Sequence, residues 1–287
     1  MNVANAANGA TAPTTGMLVW RRQVGAMLAL ELRKTFLRWR ALPVVAVAFL
    51  PALLLLMRVA AVRIGAGRTV PPAEMATQFG ALFQLFFLRL VVFFVCFTVF
   101  TYLVRGEIAE RSLHFYLMAP LRRDVFLIGK FIAGLIAASV IVLASLAMQL
   151  PLAFAAGVTE GGAAYLFEGT GAGHAAIYAL VTVLAVAGYG AVFLALALAV
   201  RNPMIPAAAI LGWEWLNSLL PPVLKKISVI HYLQSLCPVP FDAGPFALPA
   251  EPTPAPLAIG GLLLMVVVLL AFAISRARRL EVLYTGE

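Results

Sequence analysis

Two features are scarce in this 287-residue chain: charge, at 11% of residues, and cysteine, with Cys96 and Cys237 alone. Two distant cysteines with no CxxC pair exclude a disulfide framework and a cysteine-held zinc site. His114, His174 and His231 are scattered over different loops, so no metal is expected. Glycine and lysine never combine into GxxxxGK[ST]: Gly129-Lys130 is followed by Phe131 and lacks the upstream glycine. If ATP is used, another chain must bind it. No Ser/His/Asp arrangement can be argued, so the chain is not expected to be catalytic by itself. No internal repeat is visible, which withholds support from an inverted-repeat secondary transporter.

Apolar side chains are abundant instead, at 63% of residues, too many for the core of a soluble domain. A helix needs about 20 apolar residues to cross a hydrocarbon layer of roughly 30 Å. Six segments qualify: Ala41 to Val62, Phe79 to Val104, Phe126 to Phe154, His174 to Val200, Pro203 to Val223 and Pro256 to Ser275. The fifth is interrupted by Pro203, Pro206, Glu214 and the Pro221-Pro222 pair. The expected fold is an all-α integral membrane protein with six transmembrane helices across residues 41–275.

The net charge of +9 is a topology signal here, because the basic residues flank apolar spans and form no soluble basic face for nucleic acid. With the N-terminus in the cytoplasm, fifteen basic residues fall inside and five outside, and Arg89 lies within a span. The positive-inside rule then places both termini, including the tail 276–287, in the cytoplasm.

Residues 1–16, rich in Ala, Asn and Thr, read as a disordered tail and not as a signal peptide. Residues 17–40 are expected to form an amphipathic helix. From Gly25 to Trp39 the side chains of Leu28, Leu32, Phe36 and Trp39 share one face, with Glu31, Lys34 and Arg38 opposite. Such a helix lies in the membrane interface. The plainer alternative is a basic flank that orients the first span.

Between the second and third spans, loop 105–125 carries Glu107, Glu110 and Arg111 beside Ile108, Leu113 and Leu117. That pattern forms a short helix, which Pro120 ends because proline lacks the amide proton and disfavours helix at the residue before it. A solvated loop whose cations only fix topology is the alternative.

This segment resembles the permease subunits of type-2 ABC transporters. Their cytoplasmic loop runs as an acidic residue, a small or basic residue, Thr-Leu, several apolar residues, Pro, Arg and, further on, Gly-Lys. Here those positions read Glu107, Arg111, Ser112-Leu113, Phe115 to Leu117, Pro120, Arg122 and Gly129-Lys130, with Ser112 in place of the more usual Thr. The resemblance implies that Glu107, Glu110, Arg111, Leu113, Leu117, Pro120, Leu121 and Arg122 belong to a coupling helix docked on a separate ATP-binding subunit. That subunit would hold ATP and magnesium, so no cofactor is expected in this chain. The resemblance further implies that residues 17–40 are an elbow helix. It also implies that the stretch Leu219 to Leu236, running into outer loop 224–255, contains re-entrant helices. A six-span bundle is thin for a conduit, which favours a second copy or a paralogue as partner.

Two ionisable residues fall inside spans, Arg89 and Glu214, and each costs a few kcal/mol or more in lipid. Their depths match, so they are expected to form an ion pair, to line a substrate path with Trp213, Trp215 and Asn217, or merely to snorkel. The function expected is an inner-membrane permease, an exporter working by alternating access. An ion-gradient-driven transporter and a non-transporting membrane scaffold are the rivals.

Overall fold

The computed structural model of the chain describes residues 42–109, 123–240 and 253–278. The expected N-terminal tail and amphipathic helix lie outside the described residues. So do Glu110, Arg111, Leu113, Leu117, Pro120, Leu121 and Arg122 of the loop, most of outer loop 224–255 beyond Pro240, and the tail beyond Arg278.

The described residues are helical throughout, apart from connections and one isolated parallel bridge between Val70 and Thr159. Helix α1 (Leu42–Arg63) is followed by α2 (Pro72–Ala81), which runs through a π-helical stretch (Leu82–Val92) into α3 (Phe93–Ala109). Then come α4 (Arg123–Ala153), the short α5 (Gly162–Phe167) and α6 (Gly171–Ala199). Helix α7 (Met204–Leu216), a 3-10 turn (Asn217–Leu219), α8 (Pro222–Lys225), α9 (Val229–Leu236) and α10 (Ala255–Arg278) complete the order.

Five helical rods are long and apolar enough to cross a membrane: Leu42–Arg63, Pro72–Gly106, Phe126–Ala153, Gly171–Ala199 and Ala255–Arg278. They match the first, second, third, fourth and sixth expected spans. The main displacement is at the second rod, which starts at Pro72 instead of Phe79. Pro71 is extended and Pro72 occupies the first helical turn, where its missing amide proton costs nothing. The chain is therefore an all-helical, multi-pass membrane protein by length and composition.

Packing follows from the spacing of small and apolar residues. On α1, Val44, Ala48, Ala52, Leu55 and Val59 recur every three or four residues, and this buried stripe lies mainly against α4. Leu53, Leu54, Leu56 and Met57 face outward, as expected of a surface solvated by lipid. Helix α6 is the centre of the bundle, in contact with α3, α4, α9 and α10. Gly190 admits the Phe100 ring so closely that a Cβ would sit 2.4 Å from it. Phe93, Phe97, Tyr189 and Phe193 interlock edge to face around the same place. Helix α10 lies at the periphery, with Leu257, Leu264, Val267 and Val268 exposed.

We call the end carrying the 64–71 and 155–161 connections upper, and the end where α3 stops and α4 starts lower. The two upper connections are joined: the Val70 amide donates to Val158 O at 3.0 Å, Glu160 returns a bond to Val70 O at 3.2 Å, and Thr69 Oγ1 donates to Gly157 O at 2.6 Å. Gly157 and Gly161 make these turns at φ 87° and 64°, a region closed to most side chains.

The fifth expected segment, Pro203 to Val223, differs most from expectation. Helix α7 has 13 residues and stops at Leu216. That is about 20 Å at 1.5 Å per residue, short of a crossing. After the 3-10 turn, Pro221 and Pro222 prevent continuation, and the chain makes a detour through α8. It resumes as α9, whose first residue Val229 packs beside Leu262 of α10 on Gly188, while Val239 beyond its end lies against Gly80. Gly80 in turn neighbours Tyr178, ten residues nearer the upper end of α6 than Gly188. So α7 and α9 are two half-helices, one below the other, separated by residues 217–228.

Candidate functional site

The joint between these half-helices is built around Glu214, which is buried with 2% of its surface exposed. The start of α9 presents amide protons that no intrahelical carbonyl can accept. Ser228, immediately before the helix, is the residue type that ordinarily caps such a terminus with its own hydroxyl oxygen. Here the hydroxyl donates instead, to Glu214 Oε2 at 2.7 Å. Glu214 then accepts the amides of Val229 at 3.1 Å and Ile230 at 3.1 Å. One carboxylate on α7 thus caps α9, and it sits where the partial positive charge of the helix terminus favours an anion. Three donors offset part of the cost of holding a carboxyl group away from water.

Arg89 comes from the π-helical stretch and is 3% exposed. It lies within electrostatic reach of both Glu214 and Tyr189. Its guanidinium carbon stands 5.7 Å from the centre of the Trp215 ring, the geometry of a cation over an aromatic face. Among the described residues no ion pair within 4.0 Å joins Arg89 to Glu214, and Arg89 Nε meets no acceptor. Trp213 Nε1 and Asn217 Oδ1 are also buried without a hydrogen-bond partner, and the Tyr189 hydroxyl lies near Glu214. The structure therefore brings Arg89, Glu214 and Trp215 together and places Trp213 and Asn217 on the adjoining turns.

A second constellation closes the lower end. Lys130 is 1% exposed and donates to Leu103 O at 2.7 Å, while its ammonium lies 5.1 Å from the Phe126 ring. Gly134 packs against Phe100 and Leu103, so α3 and α4 approach closely where they flank residues 110–122. Asp124 receives both Nε and Nη2 of Arg278, at 2.9 and 2.7 Å, which ties α4 to the end of α10. Arg276 reaches Ala199 O at 3.4 Å, extending the tie to α6. Glu107, of the expected coupling residues, falls in the last turns of α3.

Sequence reasoning missed Tyr189, Ser228 and the backbone of Val229 and Ile230. Ser228 just before an apolar run was a visible helix-start signal, but nothing local announced that a carboxylate 14 residues earlier would take over the cap. Lys130 was read for charge and motif, not as a buried group, and Asp124 was not singled out. Among the described residues no cluster of three His, Cys, Asp or Glu is placed to hold a metal ion.

Fold and site together define an all-helical membrane protein with a broken helix and a buried charge centre. Comparison with known proteins adds no family: no family model matches the chain, and no curated protein is significantly similar to it.

Proposed function

We propose that the chain is the permease subunit of an ATP-driven transporter of the type-2 ABC class, exporting its substrate across the cytoplasmic membrane by alternating access. In this reading both termini are cytoplasmic, residues 17–40 form the elbow helix, and α7 with α9 makes the sixth crossing as a discontinuous span. Residues 105–125 contain the coupling helix, and a separate ATP-binding subunit docks there with its ATP and magnesium. A second copy of the chain, or a paralogue, completes the conduit.

The observation that carries this reading is the clamped lower end. The loop with the family-like motif leaves α3 and returns in α4. Those helices are locked by Lys130 on Leu103 O, and onward to α10 and α6 through Arg278 and Arg276. A push on residues 110–122 would reach four helices as one body instead of being absorbed by a single hinge. The excess of basic residues at this same end supports its cytoplasmic placement.

One observation favours the rival ion-gradient mechanism: discontinuous helices meeting a buried carboxylate are a device of secondary transporters. Against it, all three contacts of Glu214 are structural donors, and the sequence contains no repeat. A single experiment separates them. The tagged full-length chain is purified from its native host with its partners and reconstituted in liposomes. Copurification of an ATPase, and ATP hydrolysis that falls at least about tenfold when Pro120 and Arg122 are replaced together, is the expected result. Transport that proceeds without an ATPase and collapses with a protonophore overturns the proposal.

A further inference from the structure

The guanidinium of Arg89 is buried, yet its Nε meets no acceptor among the described residues. Its one neighbouring carboxylate, Glu214, already serves Ser228, Val229 and Ile230. A cation withdrawn from water with unfilled donors costs several kcal/mol unless something else fills them. The surroundings point the same way: Trp213 Nε1 in the same joint also lacks a partner.

The way to this cation is apolar. Trp215, beneath the guanidinium, is 43% exposed, so only one indole ring separates Arg89 from the surface of the bundle. Along α7 the exposed residues Met204, Ile205, Ala208, Ala209, Gly212 and Trp215 recur at helical spacing. Gly212 has open space above it, so this lane is smooth next to Trp215. From Met204 to Trp215 the lane is about 16 Å long, enough for a hydrocarbon tail. An apolar lane ending at a buried cation with an unfilled donor is complementary to a molecule with one tail and one acidic head.

We propose that Arg89 and Trp215 form the head-group subsite for an anionic amphiphile, its phosphate or carboxylate on the guanidinium and its tail along the exposed face of α7. Arginine suits this role because its planar fork engages two oxygens at once while its face stays on the indole. Glu214, held on α9, keeps Arg89 in place by attraction without using its donors. The subsite would link ligand occupancy to the joint between the half-helices. The inference concerns binding alone and stands whether or not an ATPase drives the chain.

The test uses full-length protein in an uncharged maltoside detergent, titrated with hexadecyl phosphate and read by native mass spectrometry. One saturable adduct per chain is expected, about tenfold weaker in Arg89→Gln and largely retained in Arg89→Lys. Trp215→Leu should weaken it by a few fold, while Arg58→Gln, at a half-buried arginine far along α1, should not. Hexadecyl trimethylammonium should not bind. A phosphatidylglycerol arm distinguishes the sources. Phospholipid that copurifies with wild type and disappears in Arg89→Gln identifies a resident lipid; occupancy by added alkyl phosphate alone identifies a mobile amphiphile. Undiminished affinity in Arg89→Gln, or adducts that never saturate, overturns the proposal. Should Arg89→Gln fail to remain monodisperse, unchanged affinity in Trp215→Leu overturns it instead.

Discussion

The mid-depth joint and the lower-end clamp both use a carboxylate to hold a helix terminus, and they do so under opposite conditions. Glu214 is buried and accepts three donors from the chain itself, two of them backbone amides. Asp124 accepts a bidentate arginine at the surface, where the Arg278 side chain is 63% exposed. Out of water, an unmet donor has no alternative partner, so losing the carboxylate that caps α9 is costly. At the surface, water competes with Arg278, so the tie contributes little to stability even though it sets how α4 and α10 meet.

Replacing Glu214 should break this comparison most severely. Glu214→Leu leaves two amides and a hydroxyl unsatisfied, and is expected to cost about 3 to 5 kcal/mol, read as loss of monodisperse protein in fluorescence-detected size exclusion. Glu214→Gln retains an acceptor oxygen and should recover part of that yield. Gly190→Val comes next, since the added methyls meet the Phe100 ring; about 1 to 3 kcal/mol of overpacking should appear as a lower melting temperature, relieved by Phe100→Leu. Lys130→Met removes the buried bond to Leu103 O and is expected to cost about 1 to 3 kcal/mol; in the reconstituted complex it should also lower substrate-stimulated ATP hydrolysis. The smallest effect on stability belongs to Asp124→Asn, with no measurable change in melting temperature. On the proposed function, ATP hydrolysis by the complex that contains Asp124→Asn should nevertheless become less dependent on substrate. If Asp124→Asn destabilised as much as Glu214→Leu, the contrast between the two sites would disappear.

Five spans were legible as uninterrupted apolar runs, because burial in lipid demands about 20 such residues regardless of neighbours. The segment from 203 to 236 was not. Its prolines marked trouble, but whether a helix bends, stops or restarts after Pro221-Pro222 depends on which neighbours accept the freed backbone groups. The answer lay in Gly188, which seats Val229, and in Glu214, which caps the helix that Val229 begins. Arg89 and Glu214 were visible as costly charges at similar depth, so their convergence was foreseeable. That Glu214 would be engaged by α9, leaving Arg89 over Trp215, was not. The π-helical stretch that presents Arg89 likewise has no periodicity signature distinct from an α-helix of the same apolar residues.

By itself, the sequence determined the solvent and the coarse architecture. Apolar length requires lipid, and charge scarcity leaves only a few places where polar chemistry can occur. Tertiary structure alone decided how that chemistry is wired: which donors reach Glu214, which ring lies under Arg89, and which helices Lys130 and Asp124 bind together. The reason is physical. Transfer of a segment into lipid is a property of its own side chains, whereas a hydrogen bond or an ion pair exists only when two distant segments fold to within about 3 Å of each other.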